Sequence, residues 1–101
     1  MYEGNVVELK MKRSILIDGE FDSFLYRCKI FKYDKKKECI YLLLGKEPLV
    51  TFSLDAIYTC CIKGQEEELL CDGIVVKRYE NEAGKIIEFA IRNGFYKNNI
   101  K

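Results

Sequence analysis

The sequence predicts an all-β domain, a small antiparallel barrel of six or seven strands, on three observations. Residues 69–91, LLCDGIVVKRYENEAGKIIEFAI, hold two alternating apolar runs joined by a short polar turn. Leu69, Cys71, Gly73 and Val75 share one side of the first run, and Ile87, Phe89 and Ile91 one side of the second. Asn81 and Gly84 supply the turn chemistry, so the pattern is a β-hairpin with one buried face. Secondly, short strand patterns recur at spacings of roughly 8–14 residues, the rhythm of a small barrel or sandwich. Thirdly, no window sustains an amphipathic helical period for as many as about ten residues. A barrel is preferred to a sandwich because closure removes exposed strand edges in so small a sheet.

The elements follow in chain order. Residues 5–11 give a first strand with Val7, Leu9 and Met11 on one side. Residues 14–18 are expected to form a second short strand ending in an Asp18-Gly19 turn. In 24–33, Phe24, Tyr26, Cys28 and Ile30 alternate against Leu25, Arg27, Lys29 and Phe31. Asp34 to Lys37 form a charged hairpin loop, and 39–44 return as a strand. Gly45 to Pro48 break the pairing, because proline has no amide hydrogen for a ladder bond. Residues 49–52 are expected to be extended and Leu54 to Ala56 to make one helical turn. Residues 57–63 form another strand, and the hairpin of 69–91 completes the sheet. Within it, Gly73 is expected to mark a bulge or a close approach of the backbone.

At 101 residues the chain is expected to be one domain, 1–101, with 93–101 a short C-terminal tail. A hydrophobic content of 49% and a charged content of 33% are too apolar for disorder. The formal net charge of +1 gives no global attraction to nucleic acid or an acidic membrane. No apolar run approaches the roughly 20 residues of a membrane span. The start, MYEGNVVELK, has no basic region followed by an apolar block, so a cytoplasmic protein is expected.

The cysteines Cys28, Cys39, Cys60, Cys61 and Cys71 are five, an odd count without C-x-x-C spacing, and the chain has no histidine. Each lies within an apolar strand pattern, where a thiol behaves as a small hydrophobe. Adjacent Cys60 and Cys61 point to opposite faces of a strand, which argues against a shared metal ion. No metal and no cofactor are expected. Nor is an enzyme: without histidine, catalysis near neutrality needs a perturbed carboxylate, lysine or cysteine, and no nucleophile–base pair is visible.

The run CDGIVVKRY, with a glycine two residues before Val-Val and then a basic residue, resembles the penultimate strand of PilZ-type barrels. Its continuation ENEAGKIIEFAI resembles their closing strand. The preceding order, with VVELKM, YRCKIF and the proline of LLLGKEP, is similar to the split-barrel N-terminal half of flagellar-brake proteins. The resemblance covers residues 5–91 and implies binding of cyclic di-GMP through two motifs. The first, R-x-x-x-R, clamps phosphates with paired guanidinium groups. Here Arg13, Arg27, Arg78 and Arg92 include no pair spaced four apart, although Lys10, Lys12 and Arg13 are basic at the corresponding end. The second, D/N-x-S-x-x-G, keeps only Ser53 in Thr51 to Ala56. The resemblance therefore implies a degenerate barrel without the standard ligand site, or one corresponding to the non-nucleotide half of a two-domain arrangement.

Three binding functions follow. The leading one is a non-enzymatic regulatory or interaction module for a protein partner or for its own copy, self-association being favoured by near-zero net charge. Phe95 and Tyr96 are the candidate aromatic anchors, against the plainer reading that they cover an open barrel end. The alternative is a non-standard cyclic di-GMP site built from Lys10, Arg13, Ser53 and Arg78, against the plainer reading of a solvated rim. The third is single-stranded nucleic acid on Leu25, Arg27, Lys29, Phe31 and Tyr33, which interleave basic and aromatic groups on one side. The balanced charge disfavours it.

Overall fold

The computed structural model describes residues 4–14, 21–64, 68–94 and 96–97. The alternating runs become β1 (Val6–Ser14), β2 (Leu25–Asp34), β3 (Cys39–Leu43), β4 (Ala56–Lys63), β5 (Glu68–Asn81) and β6 (Gly84–Ile91), followed by a short β7 (Tyr96–Lys97). Neighbours run β4-β1-β2-β3-β6-β5, and β4 also pairs β5, closing a six-stranded antiparallel barrel as the sequence predicts. Strand β5 makes the closure possible. Residues 68–74 pair with β4 and residues 73–81 with β6, so one long strand serves two neighbours. The tail adds β7, pairing Leu70 with Tyr96 and Leu69 with Lys97.

The inward positions are those of the period-two pattern. Val7, Leu9 and Met11 of β1 meet Tyr26, Cys28 and Ile30 of β2 and Val75 and Phe89 of the last hairpin in one core. Cys28, Cys39, Cys60 and Cys71 are buried, while Cys61, on the opposite face from Cys60, is partly exposed.

Among the described residues three bulges interrupt the ladders, each with one extra residue on one strand: Lys12 opposite β4, Phe31 opposite β3 and Val76 opposite β6. Each bulge reverses the in–out phase of the residues after it. Arg13, which regular alternation would align with Met11 and the core, is exposed instead. Tyr33 is turned the other way and packs on the core, so it does not share the outer face of Leu25, Arg27, Lys29 and Phe31.

The segment between β3 and β4 differs from expectation. Of residues 49–52, expected to be extended, Leu49–Thr51 form a single 3-10 turn and Phe52 alone has extended backbone; the expected helical turn at Leu54 to Ala56 is absent, Ala56 already beginning β4. Pro48 starts the turn because it needs no amide partner and its φ is preset near the helical value. The Ser53 hydroxyl then accepts the Asp55 amide at 3.0 Å, a local turn that competes with helix. Phe24, expected inward, precedes β2 and is exposed. Of the expected strand at 14–18, Ser14 belongs to β1; the rest, with the Asp18-Gly19 turn and Phe95, lies outside the described residues. Among the described residues no helix is long and apolar enough to cross a membrane.

Candidate functional site

Strands β1, β4 and β5 carry a row of outward residues, Lys10 opposite Thr59 and Thr59 opposite Asp72. Asp72 stands outward within the apolar stretch Leu69 to Val76 of β5, yet it is only 4% exposed. The chain leaving β6 covers it: the amides of Arg92 and Asn93 both donate to the Asp72 carbonyl, at 2.8 and 3.3 Å. Its carboxylate is satisfied from three sides. Lys12 Nζ donates to Oδ2 at 2.6 Å, Thr59 Oγ1 to Oδ1 at 3.0 Å, and Asn93 Nδ2 to Oδ2 at 3.4 Å.

Burial alone would push the Asp72 carboxyl up; the hydrogen bonds from Lys12, Thr59 and Asn93 and the charge of Lys12 outweigh it, leaving the pKa below its ordinary value of 3.8. A depressed folded pKa contributes stability that is complete above the unfolded value and disappears as pH falls through the folded one. Asp72→Asn is therefore expected to cost about 1–3 kcal/mol at neutral pH. The gap between the two proteins should narrow in acid, below the ordinary carboxyl value of 3.8. Denaturant titrations between about pH 7 and pH 2 check this, and a gap constant with pH would show that the carboxylate is not held ionised.

Around Asp72 lies a cleft of about 390 Å³ lined by Lys12, Arg13, Ile57, Arg92 and Asn93. Lys12 and Arg13, neighbours in sequence, line the same cleft because the bulge lets consecutive residues both face out. Arg92, on a different strand end, joins them. Among the described residues, neither guanidinium group makes a hydrogen bond or ion pair.

The candidate set read from the sequence is divided among three places. Arg13 lies in this cleft. Lys10 lies on the open outer surface beside Leu25, its partner on β2. Ser53 and Arg78 come together at the barrel end: Arg78 Nη1 donates to the Phe52 carbonyl at 2.8 Å, and the Ser53 amide donates to the Tyr58 hydroxyl at 3.0 Å. Arg78 reaches inward because the bulge at Val76 puts it in phase with buried Ile87. Tyr96 is joined to Leu70 by strand pairing. The sequence reading passed over Asp72 and Arg92. A carboxylate inside LLCDGIVV was the available signal for Asp72, whereas nothing local pairs Arg92 with Arg13.

A second surface is formed by β1, β2 and β3. Val6 stands opposite Lys29 and Lys29 opposite Leu43, one outward row across three strands. Val6, Leu25 and Phe31 are 40%, 47% and 46% exposed. Arg27 and Lys29 lie between them on β2, and Lys32 sits over the Tyr41 ring at 5.9 Å. Glu8, the carboxylate within this surface, is engaged by Arg27 at 3.3 Å and by Lys63 at 3.1 Å. Hydrogen bonds that Lys63 donates to Glu68 and then to Glu8 raise its pKa, so that ammonium stays charged. Comparison with protein-family models, with curated proteins and with solved structures finds no match to the chain.

Proposed function

We propose that this protein is a PilZ-like, non-enzymatic interaction module that takes a partner protein on the outer face of β1, β2 and β3. The observation that carries the reading is the contiguity of Val6, Leu25 and Phe31 with Arg27 and Lys29 on neighbouring strands. Scattered surface apolar groups need no explanation, but exposed Leu25 and Phe31 alternating with Arg27 and Lys29 along one outward strand face, with Val6 beside Lys29, form a mixed apolar and cationic surface of the kind a partner can bind. A second copy docked face to face would bring together two surfaces of the same sign, because Arg27 and Lys29 outnumber Glu8 here and Lys63 is also paired with Glu68. Charge thus favours a different partner, an extended segment in which acidic side chains alternate with apolar ones.

The rest of the site chemistry agrees with a non-enzymatic role. Burial pushes the Cys28 thiol up to about 12 and the Cys39 thiol up to about 11, and the hydrogen bond with Cys71 and burial raise Cys60. Burial raises Cys61 as well. Protonated thiols are poor nucleophiles and poor metal ligands, and free cysteines suit a reducing, cytoplasmic setting. The engagement of Ser53 and Arg78 within the barrel end supports the absence of standard cyclic di-GMP binding.

Amide NMR titration with an end-blocked peptide alternating Glu with Leu or Phe is expected to shift Leu25 to Phe31 and their neighbours on β1 and β3. Phe31→Glu should weaken that binding by about tenfold or more, through lost apolar burial and reversed charge. Binding of oligothymidylate at the same residues, falling steeply with salt, would assign the face to single-stranded nucleic acid instead. Silence of the face towards both probes would overturn the reading.

A further inference from the structure

We propose that the cleft between Lys12, Arg13, Arg92 and Asn93 is a binding site for a phosphate-bearing anion. Among the described residues three cations and one carboxylate line it, and with Asp72 ionised these four groups carry a formal charge of +2, the complement of a phosphate dianion. The arrangement is prepared rather than incidental. Asp72 is buried and fully hydrogen-bonded, and it fixes the Lys12 ammonium and the Asn93 amide side chain at the cleft wall. The two backbone bonds to its carbonyl fix the start of the returning chain, including Arg92. The bulge at Lys12 brings Arg13 out of core phase and onto the same wall. Two guanidinium groups from distant parts of the chain thus share a concave site, with no carboxylate among the described residues engaging either. Guanidinium forks match phosphate oxygens in geometry as well as charge. Ile57 supplies an apolar wall beside them, a surface for the carbon skeleton of a phosphate ester.

The site lies on the β1–β4–β5 side of the barrel, away from the β1–β2–β3 face, so it stands or falls independently of the proposed protein contact. The test is amide NMR titration of the full chain at low ionic strength with inorganic phosphate and, separately, a nucleoside 5′-monophosphate. Arg13→Gln and Arg92→Gln are the variants, with thermal unfolding as the check on folding. Lys12 is left in place because its removal would strip Asp72 of its partner. Saturable shifts at Asp72, Arg92 and Asn93 are expected, with affinity about tenfold weaker in each variant, the loss of one charge-assisted hydrogen bond. Equal affinity for the two probes would identify the free anion as the ligand. Binding of the nucleotide about tenfold tighter would identify an ester that also uses Ile57. No saturable shift with either probe, shifts confined to other residues, or an affinity unchanged in the doubly substituted protein would overturn the proposal.

Discussion

Valine at position 73 is expected to destabilise the barrel by about 3 kcal/mol or more, the upper range for overpacking a core. A Cβ on Gly73 would stand 2.3 Å from the Ala90 carbonyl oxygen and 2.7 Å from the Phe89 ring. Neither neighbour yields cheaply. Phe89 is fully buried, and Ala90 is held between β3 and β5 by its pairings with Cys39 and Ile74. The collision arises at Cβ itself, so Gly73→Ala should already lose most of that stability, with the branched methyls of valine adding the remainder. Gly45 provides the control: nothing lies within 4 Å of the position its Cβ would take, and Gly45→Ala should change little. Chemical denaturation of the three variants checks the order. A wild-type midpoint for Gly73→Ala would mean that Gly73 is not packed against the end of β6.

That glycine was legible in the sequence because a small residue within an alternating apolar strand has few explanations. The same is true of most of the ring. Alternation identifies the core of β1, β2 and β6, since a face that must be buried leaves a period of two in the residues themselves. Bulges leave no comparable mark. Lys12, Phe31 and Val76 look like ordinary strand residues, and each is the extra residue that reverses the phase beyond it. Extrapolated alternation therefore put Tyr33 on the outer face with Phe31, and it cannot show why Arg13 faces out or Arg78 in. The chemistry of both candidate surfaces depends on those reversals. The pairing of Arg13 with Arg92 is a tertiary fact of another kind, created by barrel closure and by the return of the chain over Asp72. The segment 45–55 was misjudged for a local reason: propensity alone does not reveal that Pro48 starts a turn and that Ser53 ends it with its own hydroxyl.

Phe52 is the residue that makes this segment a cap, and Phe52→Ala is expected to cost about 3–5 kcal/mol. Its ring is fully buried, 4.8 Å from Tyr26 and 6.3 Å from Tyr58 between ring centres, both in tilted packing. Its carbonyl receives the Arg78 guanidinium, so side chain and backbone of one residue join β2, β4 and β5 across the barrel end. Alanine removes the ring contacts and leaves a cavity that the stiff strands around it cannot collapse to fill. Phe52→Leu keeps most of the volume and should lose less, about 1.5 kcal/mol, because the aromatic contacts go while the hydrophobic burial stays. If the two substitutions cost the same, ring geometry rather than filled volume holds the cap. If neither costs more than a surface change, about 0.5 kcal/mol, the cap is not part of the folding unit. The expected order separates these cases by equilibrium unfolding alone. It also bears on Ser53 and Arg78, which are positioned by this plug: a barrel end closed by Phe52 leaves both engaged in holding the fold.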